Sequence, residues 1–423
     1  MEKGPKVLNT DVLVVGGGPA GIAAAVASAR EGSRTILVER YGFLGGMATA
    51  GLVNPFMVSK FPSGGLIMPP IFSDVIARLE EKNAAKRGEL FRQPHIVFDP
   101  EVLKSVLFDL ILSAGVTLYL HSYASGVILK DESFAGALFE SKSGQFRVFS
   151  RIGIDATGDG DLAYLSGAQY ELGRPSDGLM QPATLNFRVG GVDTEATPNR
   201  EDMDKAFRAA KDEGRIKIER EKLLWFETTR ANELHFNATR VIRVNGTKVE
   251  DLTRAEIDGR RQAEEIMSYL RAEVRGFENA FIAVTATQVG IRETRRIIGH
   301  YMLTKEDVIE GREFDDAIAK CSYPIDIHDP KGKGTLFQPL SRPYGIPYRC
   351  LIPKKIENLI VAGRPISVSH EAFSSTRVMP TCMATGEAAG IAASLCVKRK
   401  TSPAKADVDE ICGILLKSGA NYL

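Results

Sequence analysis

The apolar positions of the first forty residues fall into two short runs around an alanine-rich stretch. Residues 11–15 read DVLVV and residues 34–39 read RTILVE, both rich in β-branched side chains, the pattern of buried strands. Between them, IAAAVASAREG (22–32) is dominated by alanine, the strongest helix former, with Gly32 as a C-terminal stop. The pattern predicts strand, helix, strand. Further strands are predicted at VTLYLHSYASGVIL (116–129) and at the start of RIGIDATGDGDLAYLSGA (151–168). Residues 356–395 predict a strand, a turn at Gly363-Arg364 and a helix rich in alanine and glycine. The middle of the chain reads differently. TLNFRVGGV (184–192) and AFIAVTATQVG (280–290) predict strands, and RAEIDGRRQAEEIMSYLRAEV (254–274) a charged amphipathic helix. FPSGGLIMPP (61–70) predicts a loop, with a cover over the active site as its expected role.

The first strand runs straight into Gly16-x-Gly18-x-x-Gly21, and the helix follows at once. Gly16 permits a tight turn, Gly18 lets backbone N–H groups approach a pyrophosphate, and Gly21 lets the helix pack close to the strand. The helix N-terminus adds partial positive charge. Glu39, near the expected spacing of about 20 residues, can accept the hydroxyl protons of an adenosine ribose and repels a 2′-phosphate. These features predict a dinucleotide. The pair Gly45-Gly46 then lets the chain run along a long ligand, which fits a flavin and its ribityl chain better than a nicotinamide. Ala156, Thr157 and Gly158 predict a second close approach to the nucleotide, and Gly363 with Arg364 a third. The helix beginning near Val378 and Met379 can aim its positive end at the pyrimidine edge of a flavin. No second G-x-G-x-x-G and no cysteine pair appear, so a separate NAD(P)H domain of the disulfide-reductase type is not expected.

Composition narrows the class. The chain has 423 residues, 44% hydrophobic and 25% charged, with a formal net charge of +1. That length calls for more than one simple domain, and that balance offers no field to draw in nucleic acid. No apolar run reaches the roughly 20 residues of a membrane span. The first ten residues lack the pattern of a signal peptide. Five scattered cysteines suit a reducing compartment, so a cytoplasmic location is expected, with neither a disulfide framework nor a metal site.

The segments ERYGFLGGMATAGLVNP, GIRETRRIIGHYMLTKEDV, YPIDIH and AGRPISVSHEAFSSTRVMPTCMATGEAAG occur in this order. Through them the chain resembles the large bacterial FAD-dependent oxidoreductase family of the glutathione-reductase superfamily, over roughly residues 9–398. The resemblance implies FAD lying extended across a sheet. Gly16, Gly18, Pro19, Ala20 and Gly21 would hold the pyrophosphate, Glu39 and Arg40 the adenosine. Gly45, Gly46 and Met47 would lie near the ribityl chain and flavin, and the backbone near Ala124 would meet the adenine. Many relatives carry an acid just after the glycine of the last nucleotide strand. Arg364 stands there instead, which hands part of the ribityl or pyrophosphate contact to a cation. The expected fold is α/β: a doubly wound, Rossmann-type FAD-binding domain (1–170 and 346–423) with an α+β substrate domain (171–345) inserted.

Four residues are candidates for chemistry. His370 precedes the flavin-facing helix and can exchange a proton with a substrate, or merely order its loop. Arg377, at the start of that helix, can hold a substrate carboxylate or charge on a reduced flavin, or bond loop carbonyls. His328 has Asp326 and Asp329 beside it, which can orient the ring. Arg292, with Arg295 and Arg296, can bind an anionic substrate if the segment is helical, or tie two domains together. Cys382 has no partner cysteine and reads as packing. The expected activity is hydride transfer between a small polar metabolite and flavin N5, with the electron acceptor or donor undetermined. An FAD monooxygenase or hydroxylase using NAD(P)H and oxygen is the enzymatic alternative, and a flavoprotein with a binding or regulatory role the non-enzymatic one. The apolar content is compatible with a homo-oligomer.

Overall fold

A computed structural model describes residues 6–90, 92–332 and 334–423. Strand Lys6–Val15 ends at the glycine loop, helix Pro19–Arg30 returns along the sheet, and Thr35–Val38 pairs parallel with the first strand. Four strands lie side by side and parallel, in the order Thr117–Tyr119, Thr35–Val38, Lys6–Val15, Gly144–Asp155. The last of these forks. Its beginning pairs antiparallel with Ser133–Ser141, which in turn pairs with Ser122–Lys130. Its end pairs parallel with Leu359–Val361. Gly153 stands at the fork, where an added Cβ would lie 2.3 Å from the Phe134 ring. The single strand expected over 116–129 is thus two strands on opposite borders of the sheet. The chain turns between them at His121, which adopts a left-handed φ of 51°.

Helix Met379–Arg399 closes this layer, and every residue from Met379 to Cys396 is buried. It crosses helix Pro19–Arg30 almost backbone to backbone. A Cβ at Gly386 would meet the Ala20 carbonyl oxygen at 2.1 Å, and one at Gly390 would meet that of Ala24 at 2.2 Å.

A second sheet of four antiparallel strands has the order Trp225–Glu227, Glu233–Phe236, Phe187–Gly190, Phe281–Thr285. Helices Arg200–Asp212 and Val249–Glu273 join its core, which packs Phe187, Phe236, Phe277, Phe207, Ile266 and Leu270 together. The packing divides the chain differently from the expected 171–345 insertion. The second core runs from Leu185 to Ala286 apart from Leu52, whereas Ile297, Ile318, Tyr323 and Tyr344 join the core of the nucleotide sheet. The chain recrosses early because strands Arg295–Ile297 and Ala317–Cys321 carry apolar faces that only the larger core can cover. Residues 61–69 form the expected loop, and its end is tied to Asn421, which bonds Met68 N and the Leu66 carbonyl. No helix among the described residues is long and apolar enough to cross a membrane.

Glu387 is an ionisable group inside this packing. Burial pushes its carboxyl from the ordinary 4.5 up to about 7, against one hydrogen bond from Ile71 N. The protonated form is favoured in the folded state, so the cost is absent below pH 4.5, grows between 4.5 and 7, and is complete above 7. Glu387→Gln removes a penalty of about 3 kcal/mol at pH 8. Its melting temperature is expected to rise clearly at pH 8 and little at pH 5; equal gains at both values would count against the burial argument.

Candidate functional site

The glycine loop is built by close approach. Gly16 has φ of 101°, and a Cβ there would lie 2.3 Å from the Ala156 carbonyl oxygen. At Gly21 the nearest atom, the Gly16 carbonyl oxygen, would be 1.7 Å away. Gly18 differs: the nearest protein atom to its added Cβ is the Gly46 Cα at 3.8 Å. Packing within the chain therefore requires Gly16 and Gly21 but does not require Gly18, as expected of a position kept bare for a ligand. Gly18 caps helix Pro19–Arg30 without any side-chain bond, which leaves first-turn N–H groups to point outward from the loop.

Glu39 braces the loop from behind. It is buried, and its two oxygens accept from Gly17 N (2.5 Å) and Tyr41 N (2.9 Å). Burial raises its pKa. Beside it, Arg40 bonds Gln288 of the second lobe at 3.1 Å. Gly45 and Gly46 both have positive φ and lie directly against the loop. Gly45 N bonds the Gly17 carbonyl at 2.8 Å, and a Cβ on Gly46 would sit 2.7 Å from Gly18 Cα. Met47 follows in the short turn Gly46–Ala48. Ala124 is half-buried in the outermost strand, at an irregularity in its register.

The turn after Asp155 adds the next wall. Asp155 is fully buried, and its carboxylate accepts from Thr157 N (3.1 Å), Thr157 Oγ1 (2.7 Å) and Ala163 N (2.9 Å), which fixes Ala156-Thr157-Gly158. Arg364 lies across this turn, paired with Asp159 at 2.5 Å, while its Nη1 is buried without a partner. Where the resemblance implied an acid after Gly363, Arg364 instead pairs with Asp159 from the neighbouring strand end. Val378 caps helix Met379–Arg399 with no side-chain bond, so a second buried helix N-terminus also ends here. A bare glycine, an orphaned guanidinium nitrogen and two uncapped helix starts are the donors that an extended, pyrophosphate-bearing group requires.

Beyond this helix start, four arginines from separate segments converge. Arg377 donates from Nη2 to the Asp326 carbonyl (3.1 Å) and Oδ2 (3.2 Å), and its Nε is buried without a partner. Arg292 bonds only neutral oxygens: Pro182 O at 2.8 Å, Thr184 Oγ1 at 2.6 Å and Asn237 Oδ1 at 3.4 Å. Arg220 and Arg240 both face His328 Nδ1, at 3.4 and 3.2 Å. Arg240 also pairs with Glu221 at 2.8 Å. Among the described residues, Arg220 and Arg292 form no ion pair.

The charges here set each other. Burial and then the nearby Arg377 lower Arg292 well below the usual guanidinium range; burial and Arg240 bring Arg220 to about 10. Burial and Arg292 also press His328 well below its ordinary value, so the ring is neutral. With two guanidiniums facing Nδ1, that nitrogen must accept and the proton sits on Nε2. Asp326 Oδ1 is 3.6 Å from Nε2, too far for a hydrogen bond. Burial opposes the ionisation of Asp326, but the Arg377 and Arg292 guanidiniums hold it well below the usual carboxylate range. Tyr323 donates to Asp326 at 3.2 Å, and burial keeps its phenol protonated. Gln181, whose Oε1 accepts from His328 N at 3.3 Å, has a buried Nε2 without a partner.

Three of the four expected chemical residues, Arg292, Arg377 and His328, therefore meet. His370 stands at the edge of the group, its Nδ1 on Glu293 Oε1 at 2.8 Å; Glu293 is bonded in turn by Arg296 and by Gln181 N. The helix considered for GIRETRR is not formed: 295–297 is a strand. Its three arginines diverge: Arg295 and Arg296 are successive strand residues and face opposite ways, and Arg292 lies in the loop before the strand. Arg292 enters the cluster, Arg295 pairs with Asp161 and Arg296 with Glu293 and Glu171. Cys382 packs as expected, its thiol pushed up to about 12 by burial. Sequence reasoning missed Arg220, Arg240, Tyr323 and Gln181. A two-residue spacing puts Asp326 and His328 on one face of strand Ile325–His328, but no such spacing marks the arginines. A surface cleft of about 640 Å³ lined by Lys86, Trp225 and Arg230 is bordered by none of these groups.

The contrast between glycines can be measured. Gly21→Ala is expected to cost about 3 kcal/mol or more, since its Cβ would overlap backbone. Gly18→Ala is expected to leave the stability of the cofactor-free chain within about 0.5 kcal/mol. Thermal unfolding of both variants checks this, and equal losses would remove the distinction.

Dihydrolipoyl dehydrogenase of Haemophilus influenzae is 38% identical over 95 residues, 22% of this chain and 17% of that protein. Thiamine thiazole synthase of Methanococcus vannielii is 28% identical over 138 residues, 32% of this chain and 48% of that protein. The chain thus spans less than half the length of either curated relative. Among solved structures, p-nitrophenol 4-monooxygenase from Pseudomonas putida superposes with a TM-score of 0.51 at 9% identity, over 99% of this chain and 88% of that one, a likeness of fold. The family described as FAD dependent oxidoreductase matches residues 11–415. The chain belongs to that family, and its cofactor is FAD.

Proposed function

We propose that this chain transfers a hydride between FAD and a small polar metabolite. The observation that carries the reading is the convergence of Arg292, Arg377, His328 and Asp326 beside the uncapped start of helix Met379–Arg399, next to Arg364 and its unpartnered Nη1. In this reading Gly16, Gly18, Pro19, Ala20 and Gly21 present backbone N–H groups to the pyrophosphate, and Glu39 and Arg40 take the adenosine. Gly45, Gly46 and Met47 flank the ribityl chain and ring, and Ala124 meets the adenine. Ala156, Thr157, Gly158, Gly363 and Arg364 line the middle of the cofactor, with Val378 and Met379 at its pyrimidine edge. The forked sheet supports the glutathione-reductase arrangement for such a layout. When bound, FAD supplies the two-electron acceptor that no side chain offers.

The chain's own residues orient the substrate and manage protons. Arg292 and Arg377 fix the polar end of the metabolite, and the ionised Asp326 keeps Arg377 in place. His328 holds its proton at Nε2, while Tyr323 retains the proton on its phenolic oxygen. With Nδ1 engaged by Glu293, His370 has Nε2 left for proton exchange with the substrate.

The test is an absorbance spectrum of the purified protein followed by anaerobic titration with small acids, amines and sugars. Flavin bands that bleach with one chemical class are expected. Bleaching by NAD(P)H alone would overturn the reading in favour of a reductase or monooxygenase. Gly18→Ala is expected to lose at least about tenfold in FAD affinity, a loss of the size of one charge-assisted contact.

A further inference from the structure

Building on the proposed reaction, we infer that the substrate is a small dicarboxylate, seated between the guanidinium groups of Arg220, Arg240, Arg292 and Arg377. The inference comes from a contrast with four arginines that tie the frame together. Arg295 is paired with Asp161, Arg296 with Glu293 and Glu171, Arg364 with Asp159 and Arg188 with Glu233. Each of those ties segments together, and each has its own carboxylate. The cluster breaks the pattern. Its four guanidiniums meet two carboxylates, Asp326 and the partly exposed Glu221, and among the described residues Arg220 and Arg292 have none.

Arg220 is only 6% exposed, and its single side-chain hydrogen bond is to the neutral His328 ring. A guanidinium offers five N–H donors in a planar fork. An arginine kept solely for structure would not be left so under-used, because burying unpaired charge is costly. Two further buried donors lack partners beside the same group, Arg377 Nε and Gln181 Nε2. An excess of two positive charges and a surplus of N–H donors is complementary to a dianion of carboxylate forks. Four guanidinium forks from separate segments, two of them without an acid of their own, match two carboxylates better than one compact oxyanion.

The test uses the FAD-loaded protein and follows its visible spectrum and melting temperature with malonate, succinate and glutarate, and with succinamide and inorganic phosphate as comparators. A saturable flavin difference spectrum and a thermal shift are expected from at least one dicarboxylate, weakening as salt rises, with no response to the diamide. Arg220→Gln and Arg292→Gln should each raise the dissociation constant at least tenfold without changing the FAD-to-protein absorbance ratio. Arg292→Lys, which keeps the charge but not the fork, should recover only part of that loss. Binding of the diamide as tight as that of the diacid, or no response to any dicarboxylate, would overturn the inference, as would binding of phosphate alone. Flavin bleaching by a neutral metabolite with no effect of these anions would sink this inference and leave hydride transfer standing. Dicarboxylate binding in a flavoprotein that no metabolite bleaches would do the reverse. The wild-type comparisons stand even if an arginine variant fails to fold.

Discussion

The contact that the rest of the molecule depends on is the crossing of helices Pro19–Arg30 and Met379–Arg399. The two lie more than 340 positions apart in the chain, yet Gly386 and Gly390 touch the Ala20 and Ala24 carbonyls so closely that a methyl group would not fit. Only small residues permit that distance, which is why the two helices carry alanine and glycine where they cross. The consequence is positional. The glycine loop opens the first helix, so the second helix, with the Gly363 turn ahead of it, is held against that loop. A Cβ on Gly363 would itself meet Ala20 Cβ at 2.7 Å. Two helix starts, each lacking a side-chain cap, are thereby directed at one volume.

A similar economy governs charge. The turn Ala156–Asp159 and the loop before helix His370–Thr376 come from different parts of the chain and are joined through arginines. Arg295 reaches Asp161 and the Asp159 carbonyl, and Arg364 reaches Asp159. Burial with the neighbouring Asp159 and Asp155 raises Asp161 to about 6, so Arg295 is needed to keep that carboxyl ionised at neutral pH. Where arginines hold the frame, acids accompany them. Where acids are missing, at Arg220 and Arg292, the proposed substrate site accounts for what pairing within the frame does not.

The nucleotide half was readable because its chemistry is local. Residues 11–39 carry strand, loop, helix and acid within one continuous stretch, and Gly16 and Gly21 answer to close contacts within that unit or with Ala156. Glu39 was expected to meet an adenosine ribose; in the structure its carboxylate organises the loop through Gly17 N, a bond that spacing alone does not reveal. The boundary at 345 was not readable. The return of the chain to the first core depends on the partners of Ile318 and Tyr344 in three dimensions, and an apolar residue carries no mark of which core it joins. The arginine cluster was legible in part. Arg292, Arg377 and His328 sit in motifs, whereas Arg220 and Arg240 lie in charged stretches that look like ordinary surface until the second lobe folds over them.

That folding explains why the cluster lies where it does. The loop after Gly45-Gly46 continues to Ala50 and Gly51, whose carbonyls are bonded by Gln288 N (3.1 Å) and Asn186 Nδ2 (2.9 Å) from the second lobe. The segment that flanks the cofactor is therefore also the segment on which the second sheet is seated. Thr184, two residues before Asn186, receives Arg292, and Asn237, just after strand Glu233–Phe236, receives it from the other side. A shift of the second lobe would move Arg292 and the cofactor-flanking loop together. In the proposed reading, placement of the substrate and placement of the flavin are one constraint, set by the same few hydrogen bonds between lobes.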